Sequence, residues 1–469
     1  MELEEFRREA HRLVDWMADY LAQIERYPVR AQVRPGEIAA RLPAVPPSAA
    51  EPFADIFADF ERIVLPGMTH WQHPSFFAYF PANASPPSLL AEMLTATLAA
   101  QCMLWQTSPA ATEMETRVLD WLRRMIGLPE GFTGVIQDTA SSATLCAILC
   151  ARERATGWRA SAEGLSACPP LAFYCSEEAH SSVEKGVGIA GLGRSRLRPI
   201  ATDEGFAMRP DLLAAAVRDD RAQGLVPAGV VATLGTTGVG AADPLREIAG
   251  ICRAENLYLH VDAAWAGSAL LLEEQRWMID GVEQADSFVL NPHKWLLTNF
   301  DCSAHFVRQP EELVRTLSIL PHYLASRETD VIDYRDWGVP LGRRFRALKL
   351  WFVIRSYGVD RLKAMLRAHI AWTADLAAQI DATPDFELTT PANLALLTFR
   401  YRPPGLDEAA LDALNEHLLH ALNDSGRLYL TQTRVRGRYV IRFAIGQRST
   451  TRDHVQAAWR LIQETARAL

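Results

Sequence analysis

The sequence predicts an α/β protein: a mostly parallel sheet covered by helices, preceded by a helical segment and followed by a small α+β domain. Three observations carry this expectation. Between about 115 and 310, short continuous apolar runs alternate with helix-period segments, as they do when parallel strands are buried on both faces. Residues 1–60 repeat apolar side chains near a 3.6 period, at Phe6, Leu13, Trp16, Met17 and Tyr20. Beyond 345, a long helical pattern leads into strand-like runs and a terminal helix.

Taken in order, the first 60 residues read as two or three amphipathic helices, closed by a proline-rich break at Pro43–Pro47. Residues 63–91 follow without a single Asp, Glu, Lys or Arg, and they carry Trp71, Phe76, Phe77, Tyr79 and Phe80. So apolar a stretch is unsuited to a solvated loop. It is expected to pack against the rest of the chain, a second subunit or a cofactor cavity. Helices are expected at 113–126, 142–156, 210–223 and 244–256, and strands at 172–175, 229–234, 258–261 and 287–290. A long helix from 347 towards 380, strands at 396–401 and 439–445, and a helix at 452–468 complete the chain. Domain limits are expected at 1–85, 86–346 and 347–469.

The bulk properties exclude several classes. At 469 residues the chain is long enough for about three structural units. Its 49% hydrophobic and 22% charged residues are those of a globular protein, not a disordered one. A net charge of −8 gives nucleic acid or an anionic membrane no electrostatic attraction. The N-terminus, Met1-Glu2-Leu3-Glu4-Glu5, is acidic, unlike a signal peptide, and the uncharged 63–91 stretch holds five prolines, which a spanning helix would not tolerate. Seven cysteines without a CxxC pair point to reduced thiols and a cytoplasmic setting.

Three short segments in the α/β region can carry chemistry. Gln137 to Thr144 places small hydroxylated residues at a helix start, where free N–H groups and the helix dipole suit a phosphate; ordinary helix capping explains the same residues. In Leu259 to Gly267, Asp262 ends an apolar strand at the place where ligands sit in such sheets, although it also suits a turn cap. In Asn291-Pro292-His293-Lys294-Trp295, a lysine between apolar residues at a strand end can be desolvated into a nucleophile, or can simply be a surface lysine.

Together the three are more specific than apart. Pyridoxal phosphate needs a Schiff-base lysine, a carboxylate for its ring nitrogen and an anion site for its phosphate. All occur in that chain, and 294 − 262 = 32 residues leaves room for one crossover between neighbouring strands.

The sequence also resembles the pyridoxal-phosphate-dependent group II decarboxylases, specifically the aromatic L-amino-acid decarboxylases. The likeness runs through His73-Pro74, Tyr79-Phe80-Pro81, Ser108-Pro109-Ala110, Gln137 to Thr144, Ala179 to Val183, Ala232 to Thr237, His260 to Gly267, Asn291 to Leu297, Pro340 to Arg346 and Arg442 to Ile445. It implies the type I pyridoxal-phosphate fold, resembling aspartate aminotransferase, and a carboxy-lyase of the EC 4.1.1 class. It further implies a homodimer whose N-terminal segment packs on the partner subunit, with active sites at the interface. By resemblance Lys294 forms the Schiff base, Asp262 binds the protonated ring nitrogen, and His180 stacks on the ring near the substrate carboxylate. Thr139, Ala140, Ser141 and Asn291 hold the phosphate with His293 nearby, Thr237 lies under the ring, and Gly342 borders the cofactor. Tyr323, on a mobile loop of the partner subunit, supplies the proton that replaces CO₂.

The family's side-chain pocket falls on Trp71, Tyr79, Phe80, Pro81, Ala82, Gln101, Met103, His180 and Phe300. These positions hold no lysine or arginine, so an aromatic side chain fits and a glutamate side chain would be left unpaired. Ala82, Gln101, Met103 and Trp265 depart from the residues common in the family, and Gly342 leaves space that favours an indole. An aromatic acetaldehyde synthase is the alternative on the same scaffold, and Tyr323 speaks against it. A catalytically dead binding protein is disfavoured by the presence of Lys294, Asp262 and His180. No metal is expected, since His70 and His73 have no third ligand nearby in sequence. Gly191-Leu192-Gly193 lacks the third glycine of a dinucleotide site.

Overall fold

Seven strands make the main sheet: β1 (Thr133–Gln137), β2 (Leu171–Ser176), β3 (Leu197–Ile200), β4 (Val226–Thr233), β5 (Tyr258–Asp262), β6 (Ser287–Leu290) and β7 (Ser303–Val307). This computed structural model describes residues 1–319 and 331–469. The strand order is β1-β7-β6-β5-β4-β2-β3. β7 runs antiparallel to both of its neighbours, β1 and β6, and the other pairings are parallel. The sheet is therefore mostly parallel, as the alternating pattern predicts.

The four strands legible in the sequence, β2, β4, β5 and β6, are apolar runs buried along almost their whole length. The three others lack that signature for identifiable reasons. β3 is a four-residue edge strand containing Pro199, tolerated there because an edge N–H needs no ladder partner. β7 interleaves the buried polar side chains Ser303 and His305 with its apolar ones, and β1 contains Gly134.

Helices cover the sheet. Ala140–Ala155 buries Ala143, Cys146, Ala147, Cys150 and Ala151, small residues that let its axis lie close to the strands. Phe173 and Tyr258 of the sheet and Leu313 join the same core. Each fully buried large side chain of this kind contributes roughly 1.5–3 kcal/mol. Cys146 and Cys150 behave as small hydrophobes, with burial pushing both thiols up. All seven cysteines are free.

The chain divides into two compact units. The sheet and its helices belong to the unit of Ala82–Ala374 and Thr390–Leu397. Arg346, in this unit, begins the helix Arg346–Asp381, interrupted at Gly358, whose φ of 68° breaks the helical path. The basic run ahead of it is structural: Arg343 pairs with Glu115 at 2.6 Å, and Arg346 pairs with Asp301 at 3.0 Å.

The other unit comprises Met1–Pro81, Asp375–Thr389 and Thr398–Leu469. Its sheet has the order β10-β11-β9-β8, from β8 (Phe386–Leu388), β9 (Leu396–Tyr401), β10 (Thr431–Val435) and β11 (Arg438–Ala444). Trp459, from the terminal helix Arg452–Ala468, packs edge-on against Phe386 and Phe399. Trp16 of the first helix, Leu3–Ala22, meets Phe57 and Phe60 edge-on. In the uncharged segment, Phe76 and Phe77 are fully buried, and Phe77 stacks on Phe443 at 4.2 Å.

Candidate active site

The carboxyl ends of β4, β5 and β6 lie side by side, and hydrogen bonds tie the turns beyond them together. Leu234 N–H donates to the Asp262 carbonyl at 2.9 Å, Ala263 N–H to Val289 at 2.9 Å, and Asn291 N–H to Ala264 at 2.9 Å. The 32-residue spacing thus resolves into adjacent parallel strands, with Asp262 opposite Val289.

Asp262 is buried, and its Oδ1 accepts the Ala264 N–H at 3.0 Å, the turn cap that its sequence position also suits. One such bond leaves acceptor capacity for a cationic partner. Lys294 lies on the short helix Pro292–Trp295, with its N–H bonded to the Asn291 carbonyl at 2.9 Å. Asn291 accepts from Ser303 Oγ at 2.6 Å, which fixes the amide at the helix start.

His180 follows β2. Its Nδ1 accepts the Ser182 N–H at 3.1 Å and lies 2.8 Å from Ser182 Oγ. The ring keeps an exposed edge, yet burial lowers its pKa, with the Asp262 carboxylate opposing and the Lys294 ammonium reinforcing that shift. His180 therefore shares one electrostatic environment with Asp262 and Lys294.

The helix Ala140–Ala155 points its N-terminus into the same region. Ala140 and Ala143 pack with Val289 and Ala264. Thr139 caps this helix through Ser142 N–H, as ordinary helix capping predicts, while the first-turn N–H groups of Ala140 and Ser141 still have no intrahelical acceptor. Thr237 is exposed in the turn after β4, where Thr236 Oγ1 accepts Ala241 N–H at 3.0 Å.

His293 is buried within the lysine turn. Its Nδ1 accepts Cys302 N–H at 2.9 Å, and burial beside the Lys294 charge pushes its pKa down to about 3. It is a neutral ring bracing the lysine turn, tilted against Phe300 at 4.8 Å.

Among residues expected to meet a substrate, Gln101 touches Gly342: a Cβ on Gly342 would sit 3.3 Å from Gln101 Nε2, and Gln101 Oε1 accepts Arg343 N–H at 2.7 Å. The Met103 carbonyl accepts Arg335 N–H, Phe300 is exposed, and Ala82 is half-buried. In the other unit, Trp71 and Tyr79 stack at 5.8 Å and are both exposed, while Phe80 and Pro81 are buried. The Arg442 guanidinium lies 5.3 Å from the Phe80 ring centre. Tyr323 lies outside the described residues.

Pyridoxal phosphate fits this donor set: a buried carboxylate, a lysine, a flat ring neighbour and a helix N-terminus for the phosphate converge in one unit. A family model described as the pyridoxal-dependent decarboxylase conserved domain matches residues 35–402. The chain belongs to this family.

The decarboxylase is 43% identical to the aromatic-L-amino-acid decarboxylase of Mus musculus, over 99% of this chain and 98% of the relative. It is equally 43% identical to a phenylacetaldehyde synthase of Arabidopsis thaliana, over 99% of this chain and 96% of the relative. Among solved structures, that of Oryza sativa TDC with PLP and tryptamine superposes with a TM-score of 0.96 and 36% identity, over 100% of this chain and 99% of that one.

Two supports of the decarboxylase's lysine turn escape the sequence reading. Asn83 holds the Lys294 carbonyl, and Ser303 holds Asn291. The signal for Asn83 is a lone asparagine in an uncharged stretch. Ser303 has none, because a serine in a short strand is unremarkable. Among the described residues, no group of three or more His, Cys, Asp or Glu is placed to hold a metal, and no helix is long and apolar enough to cross a membrane.

Proposed function

We propose that this decarboxylase acts on aromatic L-amino acids (Trp, Phe, Tyr or dihydroxyphenylalanine), releasing CO₂ and the arylalkylamine. The observation that carries the reading is the convergence of His180, Asp262 and Lys294 beside the helix at 140. When bound, pyridoxal phosphate supplies the electron sink for the carbanion left by CO₂ loss. Lys294 supplies the amine that joins the cofactor. Asp262 keeps a proton on the pyridine nitrogen, a charge-assisted contact of about 1.5–3 kcal/mol. Thr139, Ala140, Ser141 and Asn291 hold the phosphate, with Thr237 and Gly342 at the ring's borders.

His180 would face the cofactor ring with its neutral imidazole. With Nδ1 occupied by Ser182 N–H, its remaining nitrogen carries the proton and can donate to the substrate carboxylate. That contact orients the bond to be broken, a positioning contribution. Trp71, Tyr79, Phe80, Pro81, Ala82, Gln101, Met103 and Phe300 meet the substrate side chain and carry no formal charge. Tyr323 returns a proton to Cα.

The working form is a cytoplasmic homodimer. Two features support self-association: the first helix exposes Leu3, Phe6 and Val14 on one face, and the helix Pro86–Leu98 exposes Leu90, Met93, Leu94 and Leu98. Seven free thiols suit a reducing compartment.

The test is product analysis after incubating holoenzyme with Trp, Phe, Tyr, dihydroxyphenylalanine and glutamate. One or more aromatic amines should form, with essentially no product from glutamate. Glutamate turnover comparable to that of the best aromatic would overturn the substrate reading. The likeness to a phenylacetaldehyde synthase favours a second outcome, so the same samples are assayed for aldehyde and peroxide.

A further inference from the structure

Three buried rings form a connected set at the lysine and aspartate turns. Trp265, three residues beyond Asp262, stacks on Trp295 with ring centres 5.1 Å apart and planes 17° from parallel. Trp295 directly follows Lys294. At its edge, Trp295 Nε1–H donates to His369 Nδ1 at 2.9 Å; the two rings lie edge to edge, 12° from parallel with centres 6.2 Å apart. His369 comes from the long helix that starts at Arg346, and all three rings are buried. A Cβ on Gly235 would lie 3.1 Å from the Trp265 indole, so the turn carrying Thr237 rests on the stacked pair.

The lysine turn needs such an anchor. Pro292–Trp295 is four residues long, too short to hold helical geometry by itself. Adjacent residues on a helix point about 100° apart, so fixing the Trp295 ring fixes the direction in which Lys294 leaves the backbone. A buried indole N–H requires an acceptor, and His369 supplies it. Burial pushes the His369 pKa down to about 4, so the imidazole is neutral and its Nδ1 lone pair is available.

We propose that His369 is a positioning residue for the cofactor lysine: by accepting the Trp295 indole N–H it sets the Lys294 turn and, through Trp265, the turn that carries Asp262. This rests on the assignment of Lys294 and Asp262 made above. His369 touches neither substrate nor cofactor and acts only through the stack.

The experiment compares wild type with His369→Phe, which keeps a ring but removes the acceptor, and with His369→Asn, whose amide oxygen can replace Nδ1. Trp295→Phe removes the donor from the other side. Apoprotein is titrated with pyridoxal phosphate, the pH titration of the visible cofactor band is recorded, and kcat and KM are measured on an aromatic amino acid. Loss of one buried hydrogen bond corresponds to about a tenfold change in an equilibrium constant. His369→Phe and Trp295→Phe should each weaken cofactor binding by about that factor, shift the band's titration and lower kcat with little change in KM. His369→Asn should recover most of the loss, and the His369→Phe, Trp295→Phe double variant should be no worse than either single one.

Wild-type cofactor affinity and band titration in either Phe variant overturns the proposal. So does an Asn variant no better than the Phe one, or additive losses in the double variant, because the contribution would then be ring volume alone. Should His369→Phe fail to fold, Trp295→Phe reads the same bond. Borohydride reduction and peptide mapping of the wild type separate the two failures. An adduct on another lysine removes the site assignment together with the proposal, whereas an adduct on Lys294 with unaltered variants removes only the role of His369.

Discussion

The side-chain amide of Asn83 donates to the main-chain carbonyl of Lys294 at 2.6 Å, while the Asn83 N–H donates to the His293 carbonyl at 3.2 Å. One asparagine therefore holds two consecutive carbonyls of the lysine turn, and Ser85 Oγ reaches the Leu297 carbonyl at 2.8 Å just beyond it. Replacing Asn83 with alanine removes the side-chain donor and leaves the backbone bond. The expected cost is about 1 kcal/mol of stability, with weaker cofactor binding because the turn is less well held. Thermal unfolding of the apoprotein and a cofactor titration check both, and unchanged values in each would exclude a bracing role for Asn83.

That arrangement also marks where the sequence stops being legible. Asp262 and Lys294 are readable because Asp262 ends one largely apolar strand, Lys294 follows another by four residues, and a 32-residue separation fits one crossover. The partners that orient them are not, because Asn83 precedes Lys294 by 211 positions and His369 follows Trp295 by 74. Nothing local to an asparagine or a histidine states which distant carbonyl or indole it will meet. Likewise β7 hides because Ser303 and His305 place two buried polar residues among its first three, leaving only Phe306-Val307 as an unbroken apolar pair, whereas β6 keeps three apolar residues in a row after Ser287. Thr139 shows the converse: a segment read for its phosphate-binding shape does contain the ordinary cap.

Arg343 and Glu115 test the basic run at 343–346. Their 2.6 Å ion pair is buried, Glu115 also accepts Ile136 N–H at 2.8 Å, and the guanidinium lies over Tyr334 at 4.7 Å. Replacing Glu115 with alanine leaves the arginine charge buried without its carboxylate, which typically costs about 3–5 kcal/mol. Urea unfolding should show a loss of that order. A change below about 1 kcal/mol, the range of exposed pairs, would mean that the pair is solvated.

Acid should destabilise the fold through histidines that burial keeps neutral. His293 is pushed down to about 3, and His305 and His369 to about 4. Neither ring nitrogen of His305 has a hydrogen-bond partner among the described residues. The unfolded chain protonates each ring near pH 6.5 and the folded chain does so only at the lowered values. Below pH 6.5 the unfolded state therefore binds more protons, and stability falls as pH falls. Between pH 6.5 and 5 each contributes a loss of about 2 kcal/mol, at about 1.4 kcal/mol per pH unit. Urea unfolding of the apoprotein at pH 7 and pH 5, at fixed concentration, should give a clearly lower free energy at pH 5, and His305→Leu should flatten that slope by about one proton. Equal stability at both pH values would show that these rings are hydrated.

Tyr323 is the residue expected to decide between amine and aldehyde formation. It lies in Leu320-Pro321-His322-Tyr323-Leu324, outside the described residues, so the expectation comes from sequence and chemistry alone. Once CO₂ has left, Cα needs a proton to give the amine, and a phenol can provide it. Tyr323→Phe removes the hydroxyl and keeps the ring, so cofactor binding by Lys294 and Asp262 should persist, seen as an unchanged visible band. With no donor, the carbanionic Cα survives longer and dioxygen competes for it. Losing one acid–base group typically costs about 10²–10⁴-fold, so amine formation should fall by that order. Aromatic aldehyde, ammonia and hydrogen peroxide should replace it, with oxygen consumed in step. An amine rate close to wild type with no peroxide would move the proton-donor role elsewhere, and His180, which shares its environment with both Asp262 and Lys294, is the next group to substitute.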